Sequence, residues 1–120
     1  MLQQTQVKTV LPYFKKFTQK FPTLKSLSKV NEKQILKMWE GLGYYRRARN
    51  LLSCSKKLMT EHNGKLPKTL DEIKKLPGIG EYTGNALLGL VYNQPTIAVD
   101  GNVKRVFARN LNKKESNINF

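Results

Sequence analysis

The sequence has 120 residues, which is the size of one domain or of part of one. Its 22 lysines and arginines against 8 acidic residues give a formal net charge of +14, so a nucleic acid is the expected partner. The lysines are spread evenly, so compositional bias is the alternative source of this charge. The single cysteine excludes an internal disulfide framework and a metal site built from several thiolates.

The sequence contains neither a run of 18 apolar residues nor a signal-peptide pattern. We therefore expect an intracellular protein without membrane attachment, located in the cytoplasm or nucleoid if the source is bacterial.

Hydrophobic periodicity predicts a first helix near the start of the chain. Thr5 is its expected N-cap, and Phe21-Pro22 is expected to end it. Pro12 should either kink this helix or mark its true first turn. The apolar residues at helical spacing are Val7, Val10, Leu11, Phe14 and Phe17.

Two further helices are predicted before residue 45. Thr23 or Ser26 is expected to begin a short helical turn, and Asn31 is expected to cap a longer helix. Gly41 and Gly43 are expected to end that helix. Its apolar side carries Ile35, Leu36 and Trp39.

The segment Gly41–Asn50 places two tyrosines and three arginines at the start of the next helix. Aromatic rings stack on or wedge between bases, and arginines pair with phosphates, so this segment suits nucleic acid. The alternative is that one tyrosine belongs to the core and the arginines are solvated. The helix is expected to end at His62-Asn63-Gly64, which makes His62 a surface residue and not a catalyst. Cys54 is expected in the core or at its boundary.

Residues 70–92 are predicted to form a helical hairpin. Thr69 is the expected N-cap of its first arm, and the second arm is expected from Glu81 to Tyr92. The second arm is apolar nearly all round, so we expect it to be buried at the centre of a helical bundle. The apolar residues of the first arm are Leu70, Ile73 and Leu76.

The turn of the hairpin has the sequence Leu76-Pro77-Gly78-Ile79-Gly80. Pro77 should end the first arm, and Gly78 and Gly80 should adopt dihedral angles that a β-carbon forbids. Such a turn leaves unpaired N–H groups at the start of the second arm, where the helix dipole favours an anion such as a DNA phosphate. The alternative is a plain turn between two helices.

Asp100 stands just before a short amphipathic helix, so its carboxylate should lie at a helix N-terminus that favours the ionised form. An ionised carboxylate beside a bound strand can take part in chemistry, and the alternative is that Asp100 is only an N-cap. The residues expected to face the core are Val103, Val106 and Phe107, and those expected to face outward are Lys104, Arg105 and Arg109.

Ile97–Val99 is too short for a strand, and residues 110–120 read as a polar tail. We therefore predict one all-α domain over residues 1–120.

Four segments of the sequence together carry a family resemblance: Gln3-Gln4-Thr5-Gln6-Val7, Gly41-Leu42-Gly43-Tyr44-Tyr45 with Arg47-Ala48-Arg49-Asn50-Leu51, the turn Leu76–Gly80, and Asp100-Gly101-Asn102-Val103-Lys104-Arg105-Val106. In this order they resemble the helix-hairpin-helix DNA glycosylases, and within them the adenine DNA glycosylases of the MutY type. The resemblance covers nearly the whole chain and implies part of a six-helix-barrel glycosylase core.

The resemblance also implies roles for individual residues. Asp100 would be the catalytic aspartate, the hairpin would dock on a phosphate, and Gln4 and Tyr44 would lie at the disturbed base pair, with Tyr44 as an intercalating wedge. The residues expected to bind DNA are Gln3, Gln4, Thr5, Tyr44, Arg47, Arg49, Gly78, Ile79, Gly80, Tyr82 and Lys104.

The implied activity is base-excision repair. The enzyme would bind double-stranded DNA as a monomer and hydrolyse the N-glycosidic bond of adenine mispaired with 8-oxoguanine or guanine. Relatives resembling endonuclease III carry a nucleophilic lysine where this chain has Tyr82, and a tyrosine cannot form the imine needed for strand cleavage. The alternatives are an endonuclease III-like pyrimidine glycosylase, a non-catalytic helix-hairpin-helix module, and a basic protein that binds RNA.

Two parts of the family pattern fall outside these residues. The resemblance places the general-acid glutamate two positions before Met1, and the four-cysteine ligands of a four-iron four-sulfur cluster beyond Phe120. We therefore expect the sequence to be a fragment or the product of an internal start. By itself it should bind no cofactor and should be nearly inactive.

Overall fold

A computed structural model describes residues 1–118. They form seven α-helices and one short 3-10 helix, and no strand occurs among them, so the all-α prediction is confirmed. In chain order the elements are α1 (Val7–Lys20), α2 (Leu24–Ser28), α3 (Glu32–Trp39), α4 (Arg46–Glu61), α5 (Leu70–Ile73), α6 (Glu81–Tyr92), α7 (Gly101–Asn110) and the 3-10 helix Glu115–Asn117. Within these residues, no helix combines the length and hydrophobicity required to cross a membrane.

The chain divides into two compact units. Unit 1 consists of Met1–Pro67 with Lys75–Gly78, and unit 2 consists of Lys68–Lys74 with the chain from Ile79 onward. Unit 1 therefore contains α1 to α4, and unit 2 contains α5, α6, α7 and the 3-10 helix.

The core of unit 1 is built around the indole of Trp39, which is 1% exposed. Phe17 meets this ring edge-on with centroids 6.3 Å apart, and Phe21 meets Phe17 edge-on at 5.1 Å. Burial of each such large side chain contributes about 1.5 to 3 kcal/mol to the free energy of unfolding. The other buried members are Val10, Leu27, Ile35, Leu42, Ala48 and Leu52.

Side-chain caps define how α2 and α3 begin. Thr23 and Ser26 form a reciprocal capping box, and Asn31 forms another with Gln34. The predicted starts at Thr23 and Asn31 are therefore confirmed. α4 ends at Glu61, and the N–H of its C-cap residue His62 bonds to the carbonyl of Leu58 at 3.1 Å, so the predicted C-cap is confirmed.

The predicted N-cap of α1 was wrong. The helix begins after Gln6, which makes no side-chain cap, and the Thr5 hydroxyl donates instead to the carbonyl of Gln3 at 3.3 Å. Pro12 lies inside α1, so it does not mark the first turn. Of the residues at helical spacing, Val10 and Phe17 are buried. More than half of each of the remaining side chains is exposed, and these are Val7, Leu11 and Phe14.

In unit 2, α5 packs against α6 through a glycine. A β-carbon on Gly84 would come within 2.8 Å of the side chains of Leu70 and Ile73, so the two helices approach closely there. Thr69 caps α5 by accepting from the N–H of Glu72 at 3.4 Å, as predicted. The helix ends at Ile73, so Leu76 is buried but lies outside the first arm.

The expectation that α6 is buried all round was wrong. Leu88 is 2% exposed, whereas Leu90 is 86% exposed and Val91 56%. The inward placement predicted for Val106 and Phe107 of α7 was also wrong, since these residues are 61% and 47% exposed. Among the described residues of unit 2, α5 packs on α6 and the 3-10 helix packs on α7, which leaves part of α6 and of α7 exposed.

The two glycines of the hairpin turn differ in conformation. Gly78 has φ of +77°, and a β-carbon there would lie 2.7 Å from Cβ of Asn50. Gly80 has φ of −94° and ψ of −171°, and a β-carbon there would meet nothing within 4 Å. The prediction of forbidden dihedral angles is therefore confirmed for Gly78 and wrong for Gly80.

This difference predicts a large effect on stability for one of two matched substitutions and a small effect for the other. Gly78→Ala should lower the free energy of unfolding by about 1 to 3 kcal/mol, because alanine is strained at positive φ and its methyl group collides with Asn50. Gly80→Ala should change it by less than about 1 kcal/mol. Urea unfolding followed by circular dichroism measures both. Equal losses in the two variants would contradict the conformational difference.

Candidate functional site

Helix α4 holds the first half of the hairpin turn. The side chain of Asn50 lies directly against Gly78, and Nζ of Lys57 donates to the carbonyl of Lys75 at 3.0 Å. Asn50 and Lys57 are two helical turns apart, so they lie on one face of α4. Together they fix the backbone of the segment Lys75–Gly78.

The second half of the turn leads into the N-terminus of α6. Gly80 occupies the N-cap position without a side chain, and the first intrahelical bond is from the N–H of Gly84 to the carbonyl of Gly80 at 2.8 Å. Glu81 and Tyr82 precede this bond, and the first N–H groups of an α-helix have no acceptor within the helix. Glu81 pairs with Lys74 at 3.9 Å. Gly80 has no side chain with which to cap α6, and a β-carbon at Gly80 would meet open space.

Asp100 is the N-cap of α7, as predicted. Its Oδ1 accepts from the N–H of Val103 at 2.8 Å, and its Oδ2 accepts from Nδ2 of Asn102 at 3.3 Å. The N–H of Val103, followed by Asn102, lowers the pKa of the Asp100 carboxyl below its ordinary value of 3.8. The carboxylate is therefore ionised at neutral pH. Its stabilising effect on α7 is present above the ordinary pKa and is lost as the pH falls through the lowered one.

Unit 2 contains an open cleft of about 760 Å³, and one of its lining residues, Val99, directly precedes Asp100 in the sequence. Lys104 of α7 and Val99 of the preceding loop line one part of it, and Tyr82 and Asn85 of α6 line another. The cleft therefore brings together Tyr82 and Lys104, two residues predicted to bind DNA. A second cleft, of about 620 Å³ in unit 1, contains none of the predicted site residues.

Two residues predicted to contact DNA have unusual backbone angles in unit 1. Gln4 has φ of 54° and Tyr44 has φ of 47°. Tyr44 is 64% exposed and Tyr45 is 40% exposed, so the alternative that one of these tyrosines is a core residue is wrong. Gln3 and Gln4 are exposed beside Thr5.

The two arginines predicted to bind DNA are both engaged within unit 1. Arg47 donates from Nη1 to the carbonyls of Met1 at 2.5 Å and Gln3 at 2.6 Å. Nε of Arg49 bonds to Oε1 of Glu32 at 2.7 Å, and about half of each of these side chains is exposed. An exposed pair of this kind contributes little stability and can exchange its partner for a phosphate.

The predicted site residues are divided between the units. Unit 1 contains Gln3, Gln4, Thr5, Tyr44, Arg47, Arg49 and Gly78, and unit 2 contains Ile79, Gly80, Tyr82, Asp100 and Lys104. The sequence analysis missed Asn50 and Lys57 as supports of the turn. Asn50 carried a usable signal, because asparagine is a poor residue for a helix interior and its presence there indicates a tertiary contact.

The residues do not fit an iron-sulfur cluster. Such a cluster requires several thiolates, and the only cysteine, Cys54, is buried in unit 1, where burial raises the pKa of its thiol. Its core placement is as predicted. Across residues 1–118, no group of three or more histidine, cysteine, aspartate or glutamate side chains is arranged to hold a metal ion.

Two adenine DNA glycosylases are similar to the chain in sequence. It is 48% identical over 118 residues to that of Buchnera aphidicola subsp. Baizongia pistaciae (strain Bp), which covers 95% of this chain and 34% of that protein. It is 43% identical over 110 residues to that of Homo sapiens, which covers 91% of this chain and 20% of that protein. The chain thus spans about a third or less of the length of these relatives.

Solved structures give the same fold. A thermostable thymine-DNA glycosylase has a TM-score of 0.87 at 27% identity, covering 98% of this chain and 55% of that one. Endonuclease III trapped as a covalent intermediate with DNA has a TM-score of 0.79 at 30% identity, covering 88% of this chain and 50% of that one. The model of the HhH-GPD superfamily base excision DNA repair proteins matches residues 1–117. The resemblance inferred from the four sequence segments is confirmed, and the chain belongs to the HhH-GPD superfamily of base excision DNA repair proteins.

Proposed function

We propose that the chain is the DNA-contacting and carboxylate-bearing part of a monofunctional glycosylase that removes adenine mispaired with 8-oxoguanine or guanine. The observation that carries this proposal is the ionised carboxylate of Asp100, which is fixed at the N-terminus of α7 and directly follows the cleft residue Val99 in the sequence. The similarity to adenine DNA glycosylases supports the choice of base. The enzyme acts as a monomer on double-stranded DNA in the compartment that holds the genome.

The placement of Asp100 suits the hydrolysis of an N-glycosidic bond. Breaking that bond develops positive charge on the deoxyribose, and a fixed carboxylate stabilises this charge more in the transition state than in the ground state. Two N–H groups hold the Asp100 carboxylate, so it needs no reorganisation as the charge develops. Adenine must first leave the base stack, and the open cleft of unit 2 provides a space for it.

The residue at position 82 favours base removal without strand cleavage. Tyr82 is the second residue of α6 and is 50% exposed, so it can contact DNA. Its phenol cannot form the imine through which a lyase cleaves the strand. This argues against an endonuclease III-like activity despite the structural similarity to endonuclease III.

The hairpin and the basic residues provide contacts to the DNA backbone. The N-terminus of α6 begins at Gly80, where open space is available for a phosphate, and Lys104 adds a positive charge in unit 2. In unit 1, the side chains of Gln4 and Tyr44 are exposed, and we assign them to contacts with the disturbed base pair. Phosphate contacts position the protein, and these two side chains would recognise the lesion.

DNA binding should depend strongly on salt. With a formal net charge of +14, the chain should bind duplex DNA by releasing counterions, so the logarithm of its affinity should fall linearly with the logarithm of salt concentration. Fluorescence anisotropy of a labelled duplex at several salt concentrations measures the slope. An affinity that does not change with salt would contradict nucleic-acid binding through this charge.

The hairpin contact can be separated from stability at Gly80. Gly80→Val should weaken binding to every duplex sequence, because its side chain fills the open space beside the N-terminus of α6. Circular dichroism of the variant is the control for folding. Undiminished affinity in a folded Gly80→Val protein would exclude a phosphate at this position.

Asp100→Asn tests the catalytic role without removing the cap of α7, because asparagine is also a favoured N-cap residue. In the complete gene product that contains residues 1–120, it should slow adenine release by about a hundred- to a thousandfold and leave duplex binding largely intact. The substrate is an adenine:8-oxoguanine duplex, and alkali converts the abasic product to a strand break.

Asp71→Asn is the matched control, because Asp71 is the only other aspartate and is exposed in the first turn of α5. It should retain activity. Full activity in Asp100→Asn would contradict the catalytic role of Asp100. No adenine release by the unaltered protein would leave a non-catalytic DNA-binding module as the better assignment. Strand cleavage without alkali would instead support the lyase class.

A further inference from the structure

The guanidinium of Arg47 binds three backbone carbonyls from two segments of unit 1. Nη1 donates to Met1 at 2.5 Å and to Gln3 at 2.6 Å, and Nη2 donates to Gly43 at 3.3 Å. Met1 and Gln3 belong to the segment before α1, whereas Gly43 belongs to the loop between α3 and α4. Arg47 therefore joins two segments that are about 40 residues apart in the sequence.

The same guanidinium lies over two aromatic rings. Its Cζ lies 5.4 Å from the ring centroid of Trp39 and 5.5 Å from that of Tyr44. Trp39 is buried, and its Nε1–H donates to the carbonyl of Gly43 at 3.0 Å. Arg47 and Trp39 thus share one acceptor, which connects the loop that carries Tyr44 to the core of unit 1.

Both segments contain a residue in a conformation that it rarely adopts. The N–H of Thr5 bonds to the carbonyl of Leu2 at 3.2 Å and closes a turn whose third residue, Gln4, has positive φ. Tyr44 also has positive φ. Side chains other than glycine or asparagine occupy this region at a cost, so the surrounding structure must fix it. Arg47 is the side chain that bonds to both segments.

We propose that Arg47 is a positioning residue that holds the turn carrying Gln4 and the loop carrying Tyr44 in one fixed arrangement. It does so through three carbonyls and two rings, so its donors point into the protein and not toward a phosphate. This inference rests on the proposed function, in which Gln4 and Tyr44 meet the disturbed base pair. Arg47 then determines how well mispaired DNA is distinguished from paired DNA, and it contributes little to binding of DNA in general.

Lysine cannot replace this arrangement. Its ammonium group is a compact point charge without a planar face, so it cannot make the same contacts with the rings of Trp39 and Tyr44 while bonding to carbonyls on two segments. Arg47→Lys therefore keeps the positive charge but loses the planar group and its set of contacts, whereas Arg47→Ala loses both the charge and the contacts. Arg46→Ala is the matched control, because Arg46 is the neighbouring residue, is exposed, and carries the same charge.

The experiment measures duplex binding by the three variants and the unaltered chain. One duplex contains an adenine:8-oxoguanine pair and the other is fully paired, each over a range of salt concentrations. In Arg47→Ala and Arg47→Lys, the two duplexes should bind equally, and the salt slope should match that of the unaltered chain. Arg46→Ala should keep the preference for the mispair. A salt slope lower by about 1 in Arg47→Ala, with equal weakening on both duplexes, would identify a phosphate contact and overturn the proposal.

A second readout tests the positioning role of Arg47 without DNA. Trp39 is the only tryptophan of the chain, so its emission reports directly on the guanidinium that lies over its ring. Both Arg47 variants should shift this emission and speed hydrogen exchange at the Thr5 amide, and Arg46→Ala should do neither. Unchanged emission and exchange in folded Arg47→Lys would overturn the proposal. If the unaltered chain does not prefer the mispair, the proposed function fails, and this second readout alone decides the role of Arg47.

Discussion

Burial of the Trp39 indole is the interaction on which the organisation of unit 1 depends. Phe17 packs against the indole in a T-shaped contact in the core, and the indole N–H donates to the carbonyl of Gly43 in the loop between α3 and α4. The guanidinium of Arg47 lies over the same ring. Hydrophobic burial has no directional preference. The hydrogen bond of the indole and its cation–π contact do have one, and they fix the geometry of a surface loop. An aliphatic residue at position 39 would be smaller than the indole and would leave this loop unanchored.

Local signals in the sequence predicted most of the secondary structure. The capping residues Thr23, Asn31 and Thr69 and the N-cap Asp100 mark helix starts through short-range hydrogen bonds that need no tertiary context. The bounds of α6 followed from its apolar run and the flanking turn. Thr5 failed as a cap because its hydroxyl bonds within the preceding turn. That competing bond depends on the fold of the first residues, which periodicity does not report.

Burial and tertiary support could not be predicted in the same way. The apolar composition of α6 indicated a central helix, yet Leu90 and Val91 are exposed because none of the elements described in unit 2 covers them. Position 78 requires glycine because its φ is positive and because Asn50 of α4 lies against it. Gly80 has ordinary dihedral angles and no such neighbour. Arg47 looked like its arginine neighbours in the sequence. Only the placement of distant carbonyls distinguishes it from a solvated side chain.

The hydrogen bonds that hold the Asp100 carboxylate also limit its chemistry. The N–H of Val103 stabilises the anion and lowers its affinity for a proton, so Asp100 is a weak Brønsted base. A water molecule that attacks the sugar would gain little from proton transfer to such a group. The same cap that orients the carboxylate therefore favours a fixed negative charge over a proton acceptor. In a glycosylase built this way, the proton released by the attacking water would leave by another route.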